Sequence, residues 1–248
     1  MKKTLLALLS VLVLSNAQAD DVSVAVAANF AVPMEEIAQA FNKETGHQLK
    51  ISTGASGKFY AQIRNGAPFQ VFLSADQEKP EQLEKDWLAV QGTRFTYAIG
   101  KLVLWSADPK MVDSKGKVLE SSHFNKIAIA NPKTAPYGEA AIETLTALNL
   151  KTRLEPKFVM GENISQTHQF VASGNAELGF VALSQVSRNN QLTGGSMWLV
   201  PAKLYAPIKQ DAVLLVTGKD SAAARQLLTF LKSDKAVRII ESFGYGVH

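Results

Sequence analysis

The stretch STGASGKFYAQI (52–63) is a glycine-rich turn ending in Gly57-Lys58, the kind of sequence that can hold phosphate. A nucleotide-binding loop of the form G-x-x-x-x-G-K-[ST] needs a glycine where this chain has Ser52, and a hydroxyl residue where it has Phe59. Both ends fail, and the ATPase reading goes with them. Nucleophilic catalysis has little to work with: Ser56 lies in G-A-S-G-K rather than in G-x-S-x-G, and the chain has no cysteine. The four histidines, His47, His123, His168 and His248, show no metal-ligand spacing. No nucleophile–base pair or metal cluster is readable, so the chain is not expected to be an enzyme.

A junction recurs instead. Four times an apolar strand gives way to small or polar residues and then to a helix, at Ala28-Asn29, Ala55-Ser56-Gly57, Pro136-Tyr137-Gly138 and Asn163-Ile164. In open α/β sheets such junctions lie at the carboxyl ends of parallel strands, where ligands bind. Each helix start offers unpaired N–H groups and a positive dipole end, which favour an anion. Asn29 and Ser56 add side-chain donors, and Gly57 allows close backbone approach. Serine and asparagine at helix starts are also ordinary N-caps, so the pattern alone leaves both readings open.

Strands must present these turns. Apolar runs predict strands at 22–28, 48–53, 69–76, 97–106, 126–131, 156–160, 177–183 and 210–218. Helical spacing fills the intervals, as with Met34, Ile37, Ala38 and Phe41 before Gly46, and SAAARQLLTFLKSD reads as the last long helix. The alternation predicts an α/β fold with mostly parallel sheets. No flexible linker, repeat or low-complexity segment interrupts it.

The chain opens MKKTLLALLSVLVLSNAQAD, a basic start, a short apolar run and a small-x-small site, which reads as an export signal cleaved after Ala19. Cleavage leaves 229 of the 248 residues and, with Lys2 and Lys3 gone, 24 basic against 22 acidic. That balance, with no polybasic run, points away from nucleic acid. An exported chain without cysteine has no disulfide and must rely on its core. It also has no lipid-anchoring cysteine, which favours a periplasm.

The leader, the AAN turn and then TGASGKFYAQI, NGAPFQVFLSAD, IAIANPKTAPYGEAA and GENISQTHQFVASGNAELGFVALSQV together resemble the periplasmic molybdate-binding proteins of ABC importers, the ModA family. The likeness spans the whole mature chain, and GAPFQVFLSADQ and NPKTAPYGEAA are its most specific pieces. It implies a type II periplasmic-binding-protein fold, with two α/β lobes of mixed, mostly parallel sheets joined by two crossover strands. Lobe I is expected over 20–101 and 205–248, and lobe II over 102–204. The implied function is capture of molybdate or tungstate in the cleft and delivery to a membrane permease, as a monomer without a cofactor. Carried over residue by residue, the oxyanion ligands are Asn29, Ser56 through hydroxyl and N–H, and Tyr137 and Ile164 through backbone N–H. Asn29 marks an asparagine-bearing subgroup.

One departure stands out. Some members place an oxyanion-binding tyrosine where this chain has Ala182, and Asn29 and the Tyr137 hydroxyl are the candidate replacements. Phe69-Gln70 reads as structural. The missing tyrosine keeps a second reading open, a same-fold protein for sulfate, thiosulfate or a small organic acid. A carboxylate ligand calls for an arginine, and Arg64 lies too far along its helix from Ser56. Lys58 reads as a surface residue with no part in holding the ion.

Overall fold

The structure, a computed structural model, describes residues 20–247; the expected leader (1–19) and its cleavage site lie outside the described residues. Three strand–helix units open the chain. β1 (Asp21–Ala27) passes through a 3-10 turn (Ala28–Phe30) into α1 (Ala31–Thr45), β2 (Gln48–Gly54) leads to α2 (Ser56–Arg64), and β3 (Val71–Leu73) to α3 (Glu78–Lys85). β4 (Phe95–Gly100) and β5 (Leu102–Ser106) follow. Next come β6 (Ile127–Ala130) with α4 (Pro136–Ala147) and α5 (Lys151–Leu154), then β7 (Phe158–Gly161) with α6 (Ile164–Ala172). β8 (Leu178–Ala182) meets α7 (Leu183–Val186), and β9 (Ser187–Arg188) pairs with β10 (Gln191–Leu192). β11 (Ser196–Leu199), β12 (Ile208–Leu214), α8 (Ala222–Leu231) and α9 (Asp234–Ser242) complete it.

The strands form two five-stranded sheets, ordered β2-β1-β3-β12-β4 and β11-β5-β8-β6-β7. Both are mixed. Parallel pairing, expected to dominate, is confined to the β2-β1-β3 and β8-β6-β7 portions. β12 in the first sheet and β5 in the second pair antiparallel to their neighbours. The inner parallel strands β1, β3, β6 and β8 are buried on both faces, which is why they read as continuous apolar runs, while the edge strands β2 and β7 are partly exposed. Val24 and Val26 of β1 pack with Met34, Ile37 and Phe41 of α1 in one core, while Leu102, Leu104, Ile129 and Phe180 anchor another.

The run 97–106, read from sequence as one strand, is two strands in different sheets. β4 ends at Gly100, Lys101 is exposed, and β5 begins at Leu102. The apolar stretches on either side of Gly100-Lys101 read alike, and their composition carries no mark of a change of sheet. Residues 200–207 make the return passage, between β11 and β12. The expected helix SAAARQLLTFLKSD is α8, and α9 follows it without a counterpart in the sequence reading; each is started by a serine cap, Ser221 accepting from Ala224 N–H and Ser233 from Ala236 N–H. β11 had no counterpart in the sequence reading. Among the described residues no helix is long and apolar enough to cross a membrane.

Candidate functional site

The four turns singled out in the sequence meet at one place. Asn29 sits in the 3-10 turn after β1, and Ser56 opens α2 after the extended Ala55. Tyr137 is the second residue of α4, whose first is Pro136, and Ile164 opens α6 after the cap residue Asn163. All four are buried and line a single small cavity. Its volume is about 10 Å³, against roughly 300–1,000 Å³ for sites that take organic ligands of drug size. That is about the room of a single water molecule, which leaves no space for an organic ligand.

Helix chemistry explains what these positions offer. The first N–H groups of a helix have no intrahelical acceptor. At α4 the proline contributes no N–H and Gly138 N–H returns to Ala135 O at 2.8 Å, which leaves Tyr137 N–H as the open donor between them. The backbone N–H groups of Asn29, Ser56 and Ile164 likewise meet no acceptor among the described residues. Ser56 Oγ accepts from Ala75 N–H at 2.9 Å, and its own proton stays available. Every residue lining the cavity is uncharged. Arg64 is turned away over Tyr60 and lies 3.8 Å from Asp86, so it is no part of the site. A larger neighbouring groove carries Asp76, Glu78, Glu139 and Glu143, an unsuitable lining for an anion.

Two side chains behave differently from the sequence reading. Asn29 was expected to turn its amide toward the ion, but its Nδ2 donates inward, to Gln210 Oε1 and to Tyr245 Oη, both at 2.8 Å. The Tyr137 hydroxyl accepts from Gln210 Nε2 at 3.2 Å. Tyr97 donates to the same Gln210 oxygen at 3.0 Å, and Ser184 Oγ to Asn29 O at 3.0 Å. Burial pushes the phenols of Tyr97, Tyr137 and Tyr245 above their usual range. The cluster behind the cavity is therefore neutral. Ala182, the position of the departure, is buried in β8 and does not line the cavity.

Bonds also cross the cavity's rim between the elements of the two sheets. Gly57 N–H donates to Thr134 O at 3.0 Å and Ser165 Oγ to Ala28 O at 3.1 Å. Lys58, read from sequence as an uninvolved surface residue, pairs with Glu162 at 2.6 Å, joining α2 to the turn before α6. Its neighbour Gly57 is needed for closeness, since a Cβ there would lie 3.0 Å from Thr134 Cα and 3.2 Å from its carbonyl oxygen.

A family model of bacterial extracellular solute-binding proteins matches residues 22–246. The chain is 58% identical over 231 residues to the molybdate-binding protein ModA of Azotobacter vinelandii, covering 93% of this chain and 92% of that one. This chain belongs to the ModA family. The Rhodobacter capsulatus ModA is 54% identical over 229 residues, covering 92% of this chain and 89% of its own. The solved Azotobacter vinelandii periplasmic molybdate-binding protein matches with a TM-score of 0.89 at 46% identity, over 92% of this chain and 99% of that one. The ModA-family fold anticipated from the sequence is thus the fold observed. These relatives are binding proteins by name, not enzymes.

Sequence reasoning missed the residues behind the cavity. Gln210 and Tyr245 lie 181 and 216 residues from Asn29. The one local signal was a glutamine and an aspartate opening an otherwise apolar strand; both are buried, and the β12–β4 register shifts between them. Such bulges re-aim side chains.

Proposed function

We propose that this chain is a periplasmic receptor that captures molybdate, and equally tungstate, and delivers it to the permease of an ABC importer. The observation that carries this reading is the convergence of four helix-start turns, two from each sheet, on an uncharged cavity rich in unengaged N–H donors. The molybdate-binding proteins at 58% and 54% identity support it. Asn29, Ser56, Tyr137 and Ile164 hold the oxyanion. Ser56 gives its hydroxyl proton and N–H, and the other three give backbone N–H groups. The chain divides into lobe I (20–101 and 205–248) and lobe II (102–204), with a leader removed after Ala19, and it works as a monomer.

A dianion leaves water without a countercharge only if each oxygen gains hydrogen bonds. Charge cannot separate molybdate from sulfate, so donor spacing must: the smaller ion cannot reach every donor. Monohydrogen phosphate brings a proton that a donor-only site cannot accept. Titration calorimetry on the mature protein tests the reading. Tight molybdate and tungstate binding is expected, with sulfate and phosphate far weaker; sulfate binding as tight as molybdate overturns it.

A further inference from the structure

Size selection requires that the donors of one sheet be held at a fixed distance from those of the other. The structure contains a part suited to that task, lying behind the cavity rather than in it. Asn29, on the first sheet's side, donates to Gln210, and Gln210 Nε2 donates to Tyr137 Oη on the second sheet's side. Asn29 Nδ2 also donates to Tyr245 Oη, and Tyr245 Oη donates back to Asn29 O, both at 2.8 Å. The bonds form one network through two of the proposed oxyanion ligands, at atoms other than the N–H groups assigned to the ion. Ser184 of α7 adds a second tie from the far sheet, bonding Asn29 O and Tyr245 Oη, each at 3.0 Å. Asn29, Gln210, Tyr137 and Tyr245 are all buried.

The passage between sheets runs against this network. A Cβ on Gly100 would lie 2.1 Å from Tyr137 Oη and 2.6 Å from Gln210 Nε2. The backbone that would have to bend for the cleft to widen is therefore in contact with the network itself. A buried, fully satisfied polar network resists distortion, because displacing any member strands the rest without partners.

We propose that the Tyr137–Gln210–Asn29–Tyr245 network sets the width of the closed cleft, and that Gln210, Tyr245 and the Tyr137 hydroxyl are the positioning groups by which the protein tells molybdate from sulfate. The inference rests on the oxyanion-receptor reading and adds to it the residues that determine specificity.

Removing one hydroxyl or amide from the network frees the cleft to close to a different width. The test is calorimetric Kd values for molybdate and sulfate, with sulfate at millimolar concentration, for the wild type, Tyr137→Phe and Gln210→Met. The molybdate Kd is expected to rise about tenfold or more, the scale of one lost buried hydrogen bond. The sulfate Kd is expected to stay level or fall, so the ratio between the ions collapses. General destabilisation does not produce this, since a smaller folded fraction weakens both ions by the same factor. If Tyr137→Phe does not fold, Tyr245→Phe makes the same test. A selective wild type whose variants keep its ratio overturns this inference alone. A wild type that binds neither ion overturns the receptor reading and this inference with it.

Discussion

At the scale of single residues, Ser56 has two tasks that can be separated. Its Oγ accepts from Ala75 N–H, which ties the start of α2 to the end of the β3 segment, and its proton is free for the ion. Ser56→Ala is expected to weaken molybdate binding by about 1–3 kcal/mol, the scale for a bond to a charged group, and to cost stability about 1 kcal/mol through the unpaired amide. Calorimetry and urea unfolding read the two separately. His168 yields a pH prediction. It stacks on Trp105 with ring centroids 4.9 Å apart, and burial lowers its pKa. The unfolded imidazole protonates near 6.5 while the folded one stays neutral to lower pH, so below about pH 6.5 the unfolded state binds more protons. Stability from this group is complete above about pH 6.5 and declines as the pH falls below it. Urea midpoints for the wild type should drop between pH 7.5 and 5.5, and His168→Phe should flatten that drop.

At the scale of elements, the starts of α2 and α6 close over the cavity, and Lys58–Glu162 is the one charged contact between them. Both side chains are exposed, so the pair is worth little as stability. It forms only when these two turns approach, so it bears on release rather than on folding. Glu162→Gln is expected to speed molybdate release a few-fold at low salt, and the difference should vanish at high salt as screening removes it. Stopped-flow release at two ionic strengths checks this. These same elements show what a sequence can disclose. The turns at Asn29, Ser56, Tyr137 and Ile164 were legible because each sits where an apolar strand stops and a helix starts, a local event. The split of 97–106 into β4 and β5 was not, because apolar content says that a strand is buried and nothing about which sheet it joins. Nor was the inward turn of the Asn29 amide, whose partners Gln210 and Tyr245 become neighbours only when the chain's end returns to its beginning.

At the scale of the whole molecule, two sheets share one small site and ligand binding must be felt by both. The backbone crosses between them at Lys101 and again through 200–207, so the first sheet is built from both ends of the chain and the second from its middle. An oxyanion held by turns from both sheets acts as a further tie between them, and it binds the folded protein alone. Mass action then sets the size of the effect: ligand at a hundredfold its Kd stabilises by about 2.7 kcal/mol. For a chain of this length each kcal/mol raises Tm by roughly 2–4 °C, so molybdate should lift it by about 5–11 °C. Because the ion bridges the sheets, the unfolding of both should move together, as one calorimetric transition displaced upward. Sulfate at the same concentration should leave the transition nearly where it was. Differential scanning calorimetry distinguishes this from a ligand that grips one sheet only, which would split the transition and leave one component at its unliganded temperature.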